Sequence, residues 1–414
     1  MSKIPAAAAV LLALTASLLP AQTYVSFRDE WESVTMKAPW TLGPFRLFPG
    51  LSLRNVGYDD NVFFESAPKP DYTGTFSPDL RIYLPVGGTI LLFGSANPEY
   101  TYYVHEPTRR SFDFSWTGGL KALLLSRFVL TGEYRDESHR RRLSSEVGAL
   151  VTDSSRGWDA GLSFETANRT VFGLSAFRHD VSYEAYSPDP EGVTLSDALN
   201  RTEMGGRAEI NYRAFYQGYL FLGFEATDYA FQSPAMAWRN ATGRRIYAGL
   251  RFPVGASIEG LLSLGYKQFR PEAEGQASFS GFVGSANVSA RFGRFGLRAR
   301  FGRDNVFSAY TDVLYFLEAS VGGGVSFYLA EFVRLDYDFD AGLTSYPEAE
   351  SAVVAEGGFA GRDDRHTNHA VGLVFRILRT AGIGLTWNRA TWTSTLPGWD
   401  RKRSFIGAYL TYRF

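Results

Sequence analysis

Apolar and polar residues alternate one by one along most of this chain. In the last segment, Arg403–Phe414, the residues Ile406, Ala408, Leu410, Tyr412 and Phe414 share one parity, while Gly407, Tyr409, Thr411 and Arg413 share the other. A period of two with different chemistry on its two faces predicts a strand between two different surroundings. The same alternation recurs upstream. Val333, Leu335, Tyr337 and Phe339 oppose Arg334, Asp336, Asp338 and Asp340, and Leu297, Ala299 and Phe301 oppose Arg298 and Arg300. Ile246, Ala248 and Leu250 oppose Arg245, Tyr247 and Arg251, and Ala208, Ile210 and Tyr212 oppose Arg207, Glu209 and Asn211.

Counted this way, the stretch from Pro44 onward holds about 18 strands, and the links between them alternate in length. Short links such as Pro85–Gly88, Leu124–Ser126, Pro253–Gly255, Phe292–Arg294 and Arg379–Ala381 follow every second run. Longer polar links, Ser138–Arg156, Glu184–Thr202 and Ser345–His366 among them, follow the others. A meander with short turns at one end and long loops at the other has two ends in different compartments. The pattern predicts an all-β fold: a transmembrane up-and-down antiparallel barrel of about 18 strands over residues 44–414, with periplasmic turns and extracellular loops. A soluble two-sheet sandwich also alternates, but it gives no reason for regular loop lengths. In lipid, a closed barrel satisfies every backbone group, which an open sheet does not.

The start of the chain sets the compartment. Lys3, the apolar run Ala6–Leu19 and the small Ala21 predict a signal peptide over residues 1–21, cleaved before Gln22. Residues 22–43 alternate only loosely and read as a periplasmic extension or a short lumen insert. No later run reaches the roughly 18 apolar residues of a spanning helix. The predicted location is therefore the bacterial outer membrane, with its lipid as first partner. With 42 Lys plus Arg against 43 Asp plus Glu, the charge gives no reason to expect nucleic acid. Cysteine is absent, which removes disulfides, thiol nucleophiles and Cys-ligated metals. The 33 Phe, 23 Tyr and 42 Gly suit aromatic girdles and bending strands.

Two short motifs carry resemblances. The closing strand, with Tyr412 two residues before a terminal Phe414, resembles the last strand of bacterial outer-membrane β-barrels, which implies that the barrel-assembly machinery reads it. The stretch Arg54–Phe63, containing Asp59, Asp60 and Asn61, resembles the opening-strand motif of outer-membrane barrels associated with exopolysaccharide or capsule production. That resemblance implies passage of a polysaccharide. Asp304 and Asn305 sit in a second Asp-Asn-Val-Phe near the end of a later strand. These rim residues serve either as turn formers or, in the case of Asp59 and Asp60, as hard oxygen ligands for calcium.

If the apolar parity faces lipid, the other parity lines the lumen. The candidate pore-lining residues are Arg207, Glu209, Arg245, Arg251, Arg298, Arg300, Arg334, Asp336, Asp338 and Arg376. Charges of both signs favour polar solutes. Arg298 and Arg300 with Asp336 and Asp338 make either a local field across the pore or mutual counterions. No Gly-x-Ser-x-Gly motif is present, and His366 and His369 are the best candidates for acid-base chemistry. The expected function is a porin-like channel for passive passage of polar solutes, with exopolysaccharide export implied by the resemblance and with no enzyme activity, cofactor or metal. The alternative is a closed structural or surface-binding barrel acting through its long loops.

Overall fold

A computed structural model describes residues 26–414 apart from 144–145, 148–149, 188–191, 216–217, 253–257, 312 and 348–360. The signal-peptide segment 1–21 and the turn Pro253–Gly255 lie outside the described residues. The chain begins with helix α1 (Phe27–Lys37) and the short strand β1 (Trp40–Leu42). Next come β2 (Phe45–Asp59), β3 (Asp71–Val86), β4 (Ile90–Tyr103), β5 (Ser111–Leu124), β6 (Phe128–Arg141), β7 (Val151–Glu165) and β8 (Val171–Tyr183). Helix α2 (Leu195–Leu199) precedes β9 (Arg201–Phe215), β10 (Gly218–Phe231), β11 (Ala241–Phe252), β12 (Ile258–Pro271) and β13 (Phe279–Phe292). The wall is completed by β14 (Phe295–Phe307), β15 (Tyr315–Ala330), β16 (Val333–Ser345), β17 (Asp363–Arg376), β18 (Ala381–Ser394) and β19 (Arg401–Arg413).

From β2 to β19 each strand pairs antiparallel with the next, and β19 pairs back onto β2, so the 18 strands form a closed barrel. The seam register joins Phe405 to Asp59, Gly407 to Gly57, Leu410 to Leu53 and Arg413 to Gly50. Above it the Arg403 guanidinium donates to Asp59 at 2.5 and 2.7 Å, and the Ser404 amide donates to Asp60 Oδ1 at 2.6 Å. The short β1 pairs with the start of β2 and brings Trp40 against Phe414, ring centroids 4.7 Å apart.

Short and long links alternate around the ring as the sequence predicts. The three-residue turn after β3, between the paired Val86 and Ile90, places Gly87 and Gly88 at φ +59° and +78°, a left-handed pair that glycine adopts without strain. The faces separate in the same way. On β10, Leu220, Leu222 and Phe224 are exposed on the outer wall, and Phe221, one step out of phase, is buried inside. An exposed apolar belt of this kind is stable when lipid covers it.

At the seam two glycines meet. A methyl group on Gly57 would lie 2.1 Å from the Ile406 carbonyl oxygen and 2.4 Å from Gly407 Cα. Gly57→Ala is expected to cost about 1–3 kcal/mol by overpacking. Gly132→Ala, on open wall with nothing within 4 Å, is expected to leave stability unchanged. Urea unfolding of both variants, followed by tryptophan fluorescence, checks the pair.

Candidate functional site: a charged lumen between a helix and a cap

The short-turn end of the lumen contains α1. Ser26 Oγ caps it by accepting from the Asp29 amide at 3.1 Å. Phe27, Trp31 and Val34, spaced i, i+4 and i+7, form one apolar face. That face packs on Leu91, Tyr83, Leu123 and Val129 of β3 to β6, all on the inner parity. Lys121 Nζ on β5 reaches Glu30 Oε2 at 2.6 Å and fixes the helix to the wall. The period-two reading of residues 22–43 passed over this helix, because its signal has a period of 3.6.

Two clusters of charge line the wall above it. On β9 to β11, Arg207 and Arg245 share the Glu225 carboxylate at 2.8 and 3.3 Å. Beside them Arg251 donates to Glu209 at 3.0 Å and to Asn211 Oδ1 at 2.5 Å. On β14 to β16, Arg298 grips Asp338 through two nitrogens, at 3.1 and 2.7 Å, and donates to Ser326 Oγ at 2.8 Å. Ser326 passes the chain on to Asp336 at 2.5 Å, Arg334 donates to Asp336 at 3.0 Å, and Arg300 lies 3.7 Å from Asp338. The arginines of β14 reach the aspartates of β16 across β15, where Gly322 and Gly324 leave the surface bare. A methyl on Gly324 would lie 2.3 Å from Asp338 Oδ1. Of the two readings of these charges, the distances show mutual counterions.

The long-loop end carries a cap. Glu146, in the link after β6, accepts from the Ser308 hydroxyl at 2.5 Å and the Ala309 amide at 2.6 Å, both in the link after β14. Tyr310 Oη donates to the Glu146 carbonyl at 3.0 Å. Arg239, fully buried, donates to the Ser308, Leu314 and Tyr310 carbonyls at 2.5, 3.3 and 3.5 Å. Leu195, Ala198 and Leu199 of α2 pack with Val147, Val151 and Ala309. Four loops from different parts of the ring therefore hold one another across the mouth. Burial pushes the Glu146 carboxyl up to about 7, against the pull of the Ala309 amide, the Ser308 hydroxyl and the Arg239 and Arg362 guanidinium groups.

Helix and wall together form a cavity of about 640 Å³ whose lining includes Phe27, Glu30, Arg207, Glu209, Arg245, Arg251, Arg300 and Asp338. Arg376 lies apart from it, exposed at the end of β17. The rim residues divide. Asp59 is taken up by Arg403 and by the Asn61 amide at 3.1 Å, and Asn61 donates to the Lys402 carbonyl at 2.9 Å. Asp304 and Asn305 lie inside β14, where Asp304 pairs with Lys267 at 2.7 Å. Among the described residues no group of three or more potential metal ligands comes together. His366 and His369 lie on opposite faces of β17. His366 is buried inside, stacked on Trp392 at 5.0 Å, and His369 bonds Tyr337 Oη at 3.0 Å on the outer wall. Tyr412 packs on Phe414 at 4.5 Å.

Over residues 158–414, well over half of its length, the chain matches a family model described as "Putative beta-barrel porin 2". Among solved structures it is similar to the Pseudomonas aeruginosa outer-membrane protein OccK1 (OpdK), with a TM-score of 0.51 at 13% identity, covering 89% of this chain and 98% of that one. It is also similar to OccK2 (OpdF) of the same organism, with a TM-score of 0.49 at 14% identity, covering 89% and 97%. At 13% identity the likeness to OccK1 shows the fold alone. No curated protein matches the sequence.

The β15 glycines yield a direct check. Gly324→Ala is expected to part Arg298 from Asp338 and to cost about 1–3 kcal/mol. Gly323→Ala, whose added methyl has its nearest neighbour at 3.6 Å, is expected to lose little. The order of their urea midpoints tests the bridge across β15.

Proposed function

We propose, from the premise that the chain belongs to the beta-barrel porin 2 family, that this outer-membrane channel passes small polar solutes by diffusion and is narrowed at both ends. The observation that carries the reading is the cavity of about 640 Å³, walled by arginine–carboxylate pairs and lined by Phe27 and Glu30 of α1, with the loop cap joined across the long-loop end of the barrel. Paired charges give a solute donors and acceptors in close alternation while cancelling over longer range, so the wall favours hydration and polar contact over strong selection by charge sign. A polysaccharide chain would require both α1 and the cap to move, which favours small solutes over the polymer implied by the motif at Asp59–Asn61. The cap also supports the alternative of a barrel closed at rest.

Single-channel conductance in a planar bilayer tests this. Removing residues 26–38, and with them α1, is expected to enlarge the conductance step. Replacing both Asp336 and Asp338 with Asn frees Arg298, Arg300 and Arg334 from their counterions and is expected to move the reversal potential toward anion preference. Silence from folded wild type, from the helix deletion and from Ser308→Ala alike would favour the closed barrel.

The cap adds a pH dependence. In the closed cap the Glu146 carboxyl titrates near 7, above its ordinary value of 4.5, so closing takes up a proton between those two values. The contribution to closure is complete below about 4.5, falls as the open-to-closed ratio gains about tenfold per unit between 4.5 and 7, and is fully lost above 7. Open probability is expected to climb between about pH 5 and 7 and to level off above that. Glu146→Gln, which mimics the protonated form, is expected to flatten that profile at the closed level.

A further inference from the structure

Charge on the outer wall is distributed in one direction only. Among the described strand residues that point away from the lumen, the short-turn half carries no charged side chain. Every outward arginine or lysine lies near the long-loop end. One group is on three neighbouring strands, with Arg365 on β17, Arg389 on β18 and Lys402 on β19, all exposed. Arg389 stands across the ladder from His369 on one side and Ser404 on the other, and Lys402 stands across from Thr391, one pair nearer the rim. One pair deeper lies an aromatic floor of Trp387 and Tyr337, both exposed, with the His369 ring fixed by Tyr337 Oη at 3.0 Å.

These cations differ from those inside. The mid-wall lumen arginines Arg207, Arg245, Arg251, Arg298 and Arg300 each lie within 3.7 Å of a carboxylate. Arg365, Arg389 and Lys402 form no ion pair among the described residues. Of the outward carboxylates, Asp136, Asp180 and Asp228 are on β6, β8 and β10, remote from the group, and Asp363 lies at the rim end of β17. An unpaired cation on a lipid-facing wall is costly at mid-depth and tolerated near the interface. There it meets headgroups, and phosphate oxygens match both the guanidinium fork and the ammonium.

We propose that the outward face of β17–β19 at the long-loop end is a binding site for a phosphorylated glycolipid of the outer leaflet, with Arg389 and Lys402 holding phosphate and Trp387 and Tyr337 bracing the sugar above the acyl chains. Each basic residue beside an anionic lipid surface contributes about 1 kcal/mol. A counterpart on β6–β8, lined by Tyr134, Arg156, Trp158, Arg178 and Asp180, has Arg178 paired with Asp180 at 3.6 Å and is the weaker site. The inference rests on the long-loop end facing the outer leaflet. It is independent of whether the lumen conducts, so a silent channel would leave it standing.

Native mass spectrometry of the full-length protein in detergent, titrated with diphosphoryl lipid A and separately with its dephosphorylated form, tests the site. Wild type is expected to retain the diphosphoryl lipid and to release the dephosphorylated one. The double variant Arg389→Gln, Lys402→Gln is expected to bind the diphosphoryl lipid roughly thirtyfold more weakly. Arg244→Gln, on β11, is expected to bind as wild type does. Heat-modifiable gel mobility confirms that each variant is folded. Equal retention of the two lipids by wild type, or undiminished binding by the folded double variant, overturns the proposal.

Discussion

Everything in this molecule depends on the backbone ladder having no edge. In hydrocarbon an unpaired amide or carbonyl has no water to turn to, so a sheet that spans the membrane has to close on itself. Here closure joins the second strand to the last, with Asp59 and Arg403 clamping the two above the seam. Gly57 and Gly407 let the backbones meet where side chains would hold them apart. Once the ring is shut, the alternation of side chains fixes which residues meet lipid and which meet the lumen. The position of every charge on the wall then follows from its parity.

Inside, the fold answers the cost of enclosing so many ions by pairing them. The guanidinium of Arg298 is satisfied by Asp338 and Ser326 together, and Glu225 serves two arginines at once. A buried pair loses most when one partner is removed, because the other then stands alone in low dielectric. The lumen is therefore a structural lattice as well as a path for solute, and its polarity and its rigidity come from the same residues.

The barrel was legible in the sequence because its signal is repeated on every strand: the parity of Ile406, Ala408 and Leu410 is the parity of Leu335 and Tyr337 and of Ile246 and Ala248. Link lengths added the two-ended topology. Parity also identified Arg207, Glu209, Arg298 and Asp338 as inward residues, but not their partners. Which carboxylate an arginine reaches depends on strand tilt and on bare neighbours such as Gly324, neither of which a single strand displays. The helix at Phe27–Lys37 was missed because a search for period two passes over Phe27, Trp31 and Val34. The cap was out of reach for a different reason. Glu146 and Ser308 are far apart along the chain and lie in links without periodicity, so nothing local announces that they touch.

The position of α1 also constrains the order in which the molecule can be assembled. All its apolar partners, Tyr83, Leu91, Leu123 and Val129, belong to strands that follow it closely in the chain, whereas the seam waits for residues separated by 344 positions. Loop closure over such a span is slow and comes late. The helix therefore has time to settle on an open, curved quarter of the wall, and the last strand then shuts the ring around a passenger already in place.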